Sequence, residues 1–486
     1  MPSPSKSEES GGDAVTNASQ PDHTLAGHAA ASLGDIDPGG SRQRGRRSAA
    51  ELIGDAVVVG TADGDLRAFD RPTGDAPPTD STGDAPCGDG REAERWHLPG
   101  DEPVVALTPF DGGVLAGTRG ERGLVRLVDA DGSERWWLAT ADDVGPPAKE
   151  TRFWYPFVAA IETHGDRAYV AARRYERRRE TDAQATGDDA GTDGDAESGT
   201  DTDASARHFE SVVYALDPDG TVAWRYAAAA SPIAVAAGGD RVAIAYNRCP
   251  DPDAHDDGLV VLDPDSGAVR LRWDPRHAPD AGGDAAAARP VGDVALTPDG
   301  YAVASHADYR GYLLDRDGTV RASLDLGTPV ERSTDAAEPD RVYAYPNHVH
   351  TGDDGIAFVV GNTFPEEGRE TTARHPAEHT AVGVDLTGTE RWRADVGGFA
   401  HHVAGTDTAL AVPAAQHFRD RDPGVHGVRL FDLQRGTVAA ADTDGVSTAV
   451  ALDGDAVAAV EEPVAYHDGD ADARGAYRVH RWRRDP

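Results

Sequence analysis

The chain has 486 residues, with 85 acidic against 47 basic and a formal net charge of -38. That balance excludes the basic footprint a nucleic-acid binder needs. Two cysteines, Cys87 and Cys249, are too few for a disulfide scaffold.

The first stretch, MPSPSKSEESGGDAV, has no apolar core and does not read as a signal peptide. RQRGRR followed by SAAELIGDAVVVG is too short and too polar for an export or membrane segment. No membrane insertion is expected, and the expected location is the cytoplasm. Residues 1–47 are polar, rich in Gly, Ser and Asp, and without periodicity, so they read as a disordered tail. The segment at about 180–206 has no Lys, Arg or large apolar residue and reads as a disordered acidic insertion. RRYERRRE, directly before it, carries five arginines.

The remainder, residues 48–486, repeats one pattern. Its first copy is DAVVVGTADGDLRAFDRPTG, Asp55 to Gly74: an apolar strand, a turn, an alternating strand ending in Asp, and a turn ending in Gly. Echoes are VRLVDADG, VYALDPDG, LVVLDPDSG, GYLLDRDG, VGVDLTG and VRLFDLQRG. The recurring aspartates are Asp70, Asp129, Asp217, Asp263, Asp315, Asp385 and Asp432. Asp satisfies backbone N–H groups at turns and Gly supplies positive φ, so these residues are read as turn chemistry. Trp96, Trp136, Trp224, Trp273 and Trp392 recur after the turns and are read as anchors between repeats. An eighth unit, from STAVALDGDAVAAVEE to GAYRVHRW, lacks the Asp turn and a final strand. The N-terminal tail supplies that strand, or the unit keeps three. No segment carries a sustained helical period. Four-stranded units at roughly 40–50-residue spacing predict an all-β chain folded as a single β-propeller of eight four-stranded blades, with seven as the alternative.

VVVGTADGDLRAFDRPTG resembles the pyrroloquinoline-quinone-like (PQQ-like) repeat: a strand, G-T-x-D-G, a strand with A-x-D, then T-G and later Trp. Two groups share that repeat. Quinoprotein dehydrogenases hold the quinone and Ca²⁺ in the channel, whereas outer-membrane assembly propellers bind no cofactor and act as scaffolds. The dehydrogenases set a disulfide of adjacent cysteines against the quinone. Cys87 and Cys249 are not adjacent, and no export signal is visible. The resemblance therefore implies the fold and neither activity, and PQQ is not expected. The acidic composition, with lysine only at Lys6 and Lys149, resembles that of salt-in halophile proteins. Its self-repulsion is largely screened at molar salt, where the Debye length is roughly 3 Å.

Histidines are the least evenly spread residues of the later repeats. His348 and His350 in YPNHVH lie two apart, on one face of a strand. With His401 and His402 in GFAHH they are candidate ligands for a transition metal. His306, Arg310, Asn347, His375, His379 and His417 are further channel candidates, for general-base or nucleophilic roles. Fragments around them faintly resemble His-dependent arylsulfotransferases, which are propellers. The Asp-rich loops Asp251 to Gly258 and Asp468 to Gly475 lack the Gly and Glu of a Ca²⁺ loop and read as solvated. GxSxG, Walker A, HExxH and paired CxxC motifs are absent.

The leading expectation is a monomeric, non-catalytic scaffold without a cofactor, offering its loops and channel mouth to a protein or small ligand. The alternative is a His-dependent enzyme or a metal-binding propeller, and third comes a quinoprotein oxidoreductase.

Overall fold

In the computed structural model the described residues are 23–40, 47–71, 94–147, 149, 153–177, 207–278, 289–333, 339–353, 355–368, 371–415, 422–466 and 473–484. The chain forms eight four-stranded antiparallel blades set in a ring, the arrangement of an eight-bladed β-propeller. The innermost strands in chain order are Ala49–Ile53, Val104–Phe110, Phe157–His164, Ser231–Gly238, Val291–Thr297, Asp340–Thr351, Ala404–Gly405 and Val446–Asp453. Val446–Asp453 packs against Ala49–Ile53 and closes the circle.

Burial follows from each strand's place in its blade. Second strands are covered on both faces by neighbouring blades, so Ala56–Gly60, Gly113–Thr118 and Gly300–Ser305 are buried throughout. Outer strands alternate, as in Val222–Ala228, because one face meets the next blade and the other meets water. Eight apolar clusters fill the eight seams between blades.

The recurring tryptophans lock four of those seams. Trp96, Trp136, Trp224 and Trp392 each donate the indole N–H across a seam to a carbonyl in the next blade's Asp–Gly turn: Ala130, Pro218, Pro264 and Leu433, at 2.8–3.0 Å. The turn glycine lies under the ring. A Cβ on Gly220, whose φ is +84°, would come within 2.8 Å of Trp136. Trp273 departs from its expected role. The strand register puts Leu271 opposite Val261 where Trp224 stands opposite Ala215, and Leu271 covers Gly318. Trp273 packs edge-on against Tyr312 instead.

The aspartates are turn groups, as expected. Asp263, Asp315, Asp385 and Asp432 each accept two backbone N–H groups of their own turn on Oδ1. At Asp70, Asp129 and Asp217 an arginine takes the carboxylate.

The eighth blade corrects the reading of residues 1–47 as disordered over 23–40, and takes the first of the two expected closures, a strand from the N-terminal tail. Ala26–Ser32 is its outer strand, antiparallel to Arg478–Arg483, and His23–Thr24 pairs with the outer strand of blade 7. Leu25, Ala31 and Leu33 are buried there. AGHAAAS gave no strand signal because a closing strand faced with small residues needs no large apolar side chain. The acidic insertion at about 180–206 lies outside the described residues.

Strands alternate direction, so the two ends of the ring differ. Turns within each hairpin, including the Asp–Gly turns of blades 2 to 7, fall at one end. The second-to-third-strand loops and the blade-to-blade connections fall at the other, here called the loop end. Two blades rise at the loop end. In blade 3 the second and third strands, Arg167–Arg177 and Arg207–Leu216, have 11 and 10 residues. In blade 6 the first and second, Asp340–Thr351 and Ile356–Pro365, have 12 and 10.

Candidate functional site

The expected metal ligands do not assemble. His348 Nε2 lies 3.0 Å from the Ala400 carbonyl, and His350 Nε2 lies 2.8 Å from the Thr406 carbonyl. Both rings point the same way, as their spacing predicted, but each spans a seam to the backbone of blade 7. His401 stands edge-on to Phe399, and both His401 and His402 have partners of their own. Among the described residues no group of three or more His, Cys, Asp or Glu is placed to hold a metal ion.

The other candidates scatter. His375 Nε2 reaches the Thr328 carbonyl at 3.0 Å, and its Nδ1 accepts the Ala377 N–H. His379 Nε2 donates to Asn362 Oδ1 at 2.7 Å. Arg310 faces Asp325 across its blade without an ion pair among the described residues, and its Nε is buried with no hydrogen-bond partner. His417 lies outside the described residues. Cys249 is a buried free thiol whose pKa is pushed up by burial. The Asp251 to Gly258 loop is pinned from within, with Arg276 on Asp256 and Arg272 on Asp257.

His306 and Asn347 do come together, at the loop end of the seam between blades 5 and 6. The loop carrying His306 is tightly held. Its N–H donates to the Pro290 carbonyl at 3.0 Å. The buried Asp308 accepts from Ser305 Oγ at 2.5 Å and from the Tyr312 hydroxyl. That loop leaves Tyr309 at φ +64°, a left-handed conformation uncommon outside glycine. The His306 side chain is 9% exposed, and neither ring nitrogen has a hydrogen-bond partner. Burial first, then the nearby Arg289 guanidinium, pushes its pKa down to about 3, so the ring is neutral. Its imidazole packs 4.6 Å from Tyr345. Arg289 lies over the same tyrosine at 5.4 Å. Tyr309 stacks on Tyr343 at 4.3 Å, and Phe364 completes the aromatic group.

A second aromatic–arginine group stands on blade 3. Arg119 lies 4.3 Å over Phe157, and Arg173 lies over Phe157 and Phe209. Tyr175 links Phe209 to Trp154. Arg173 also donates to Ser231 Oγ in blade 4, and Ser231 bonds Asn247 at 2.8 Å. Arginine–aromatic groups thus stand at the loop end of blade 3 and of the seam between blades 5 and 6. Reasoning from histidine spacing passed over Arg289, Tyr343, Tyr345 and the blade 3 group. Two signals were present: aromatic residues are only 6% of the chain, yet RFWYPF packs four into six residues, and VYAYP sets two tyrosines on one strand face.

The channel itself is acidic. Glu51 and Glu162, on the inner strands of blades 1 and 3, are pushed up to about 7, chiefly by burial. A cavity of about 360 Å³ lies elsewhere, on the flank between blades 1 and 2 beside Trp137, and its charges are paired as Arg122–Asp101 and Arg126–Glu134. Among the described residues no helix is long and apolar enough to cross a membrane.

No protein-family model matches the chain, and no curated protein matches it. Among solved structures it is similar to BamB from Moraxella catarrhalis, with 14% identity, a TM-score of 0.46, and coverage of 94% of this chain and 100% of that one. It is similar to the computationally designed protein Ika8, with 12% identity, a TM-score of 0.48, and 93% and 100% covered. It is also similar to the Dos1 propeller, with 11% identity, a TM-score of 0.48, and 95% and 94% covered.

Proposed function

We propose that the protein is a non-catalytic binding propeller of PQQ-like repeat type, working as a monomer in a high-salt cytoplasm. Its functional surface is the loop end, from blade 3 to blade 6. One observation carries this reading: the departures from the repeat gather at one end. The lengthened strands, both aromatic–arginine groups and the strained Tyr309 all sit there. The turn end carries an Asp–Gly turn in each of blades 2 to 7. Binding residues concentrate on loops carried by a rigid scaffold, which is the division seen here.

A photo-crosslinking amino acid placed at Phe364 or Trp154, and separately at Asp131 on the turn end, tests the reading in native high-salt extract. Adducts are expected from the first two positions alone. Equal labelling from Asp131 would refute it. A second reading, a His-dependent enzyme, draws on His306, a neutral imidazole whose ring nitrogens have no partner.

A further inference from the structure

Among the buried imidazoles of the later blades, His306 is the exception. His375, His379 and His426 each engage Nε2 with an oxygen, as do the half-buried His348 and His350. Neither His306 nitrogen makes a well-formed hydrogen bond; the Asn347 side chain and the Pro346 carbonyl lie close enough to raise its pKa without satisfying the ring. A buried polar group left without a partner costs about 1–3 kcal/mol, so a native structure that keeps one needs a reason. The surrounding loop does not let the ring escape. Two backbone N–H groups on Pro290 and the buried Asp308 fix its course, and a Cβ on Gly292 would collide with His306 Nε2.

The chemistry around the ring selects the ligand. Arg289 and Arg248 both act on His306 electrostatically and repel a metal cation. A guanidinium fork suits an oxyanion. Tyr345, Tyr343 and Tyr309 offer ring faces and edges for an aromatic group, 4.3–5.6 Å from one another. Resting on the loop-end reading above, we propose that the blade 5–6 seam binds a small planar aromatic molecule bearing an oxyanion. The oxyanion lies against Arg289 and accepts the N–H of His306 Nδ1, since Nε2 is turned onto Gly292. The ring lies against Tyr345 and its neighbours.

Calorimetric titration of the whole chain in molar KCl tests this. The probes are 2-naphthoate, 2-naphthyl phosphate, the neutral 2-naphthalenemethanol and inorganic phosphate. Saturable binding is expected for naphthoate or naphthyl phosphate, and whichever binds more tightly identifies carboxylate or phosphate as the anion. The neutral alcohol and inorganic phosphate alone are expected not to bind. Arg289→Met, His306→Phe and Tyr345→Leu are each expected to weaken binding by about tenfold or more. Arg135→Met, at the turn end, is expected to leave it unchanged. In the wild type, naphthoate or naphthyl phosphate is expected to shift the His306 imidazole nitrogen resonances, a readout independent of whether a variant folds. Equal binding of the neutral alcohol, binding indifferent to the three seam substitutions, or unmoved His306 resonances would each overturn the proposal. Loss of binding in Arg173→Met with the seam variants intact would move the site to blade 3, ending this proposal and leaving the loop-end reading standing.

Discussion

Trp392 offers a direct measure of what holds the ring together. It is 1% exposed, stacks on Phe431 of blade 7 at 5.5 Å, and donates its indole N–H to the Leu433 carbonyl at 3.0 Å. Glycines on both sides give it room. A Cβ on Gly383 would collide with the ring, and one on Gly436 would approach to 3.3 Å. Trp392→Phe keeps an aromatic ring but removes the donor and about a third of the side chain. The orphaned carbonyl costs about 1–3 kcal/mol. The unfilled space adds a cavity cost, since complete removal of such a ring costs about 3–5 kcal/mol. A loss of about 2–3 kcal/mol is expected for Trp392→Phe and about 4–5 for Trp392→Ala. Urea unfolding in molar KCl, followed by near-ultraviolet dichroism, measures both. Trp137→Phe is the control. Its ring is 56% exposed, and a change within about 0.5 kcal/mol is expected. If Trp392→Phe costs no more than this control, the indole-to-turn contact is not a seam lock.

Four other outcomes are expected. The closing strand carries His28, whose ring stacks on His480 and Trp482 with Nε2 2.9 Å from His480 Nδ1, while His480 Nε2 meets Glu461 at 2.5 Å. His28 keeps an exposed edge, but desolvation of its ring against His480 and Trp482, then the His480 charge, pushes it down from 6.5 to about 4. The folded chain then binds fewer protons than the unfolded one between those values, so stability falls as pH drops from 6.5 to about 4. His28→Gln should flatten that slope in urea titrations, and an unchanged slope would refute the assignment. Glu51 works in the opposite sense. Raised from 4.5 to about 7, it contributes stability below pH 4.5 that is lost as pH rises towards 7. Glu51→Gln should therefore raise stability at about pH 8 by at least 1 kcal/mol, and a loss there would refute the desolvation argument. Lowering salt from molar to about 0.1 M lengthens the Debye length from roughly 3 to 10 Å. The unfolding midpoint should then fall steeply, and insensitivity to KCl would count against the high-salt reading. Metal analysis of protein purified in molar salt should find no stoichiometric transition metal. One metal per chain, lost in His348→Ala/His350→Ala, would restore those histidines as ligands.

The repeat was legible because its devices are local. An Asp, two turn residues and a Gly lie within a few positions, and the turn they make does not depend on the rest of the fold. The closing strand was not legible for the opposite reason. Ala26–Ser32 becomes a strand only because Arg478–Arg483, some 450 residues away in sequence, presents an unpaired edge. Trp273 misled although its spacing was on view: Trp224 stands four residues after its turn glycine, Gly220, whereas Leu271 holds that place after Gly267 and Trp273 comes two residues later. His348 and His350 were read correctly as sharing a face. What that face meets is the backbone of blade 7, which no spacing rule supplies.

The same reasoning indicates where binding can reside in a ring of near-identical units. A residue that recurs from blade to blade answers to a need common to those blades, so the turn aspartates of seven units and the tryptophans of four seams are accounted for by folding alone. A binding site needs asymmetry, because one ligand cannot be met by eight equal surfaces. The channel carboxylates Glu51 and Glu162 break the repeat, but desolvation holds them near neutrality, and they have no cation beside them within hydrogen-bonding reach among the described residues. The seam between blades 5 and 6 breaks it differently. Its turn end has lost the tryptophan lock, with Ala322 standing over Gly388. Its loop end has gained three tyrosines, Arg289 and an imidazole with both nitrogens unengaged. Cohesion there rests on the cluster around Phe358 and Leu326, and on the aromatic rings at the mouth. Three other seams also lack the tryptophan, and the buried cluster holds this one, but the rings packed at its mouth add to that cohesion, so occupancy of the mouth and stability of the ring are coupled. Ligand binding there should therefore raise the unfolding midpoint of the whole propeller, by linkage and in proportion to the logarithm of ligand concentration.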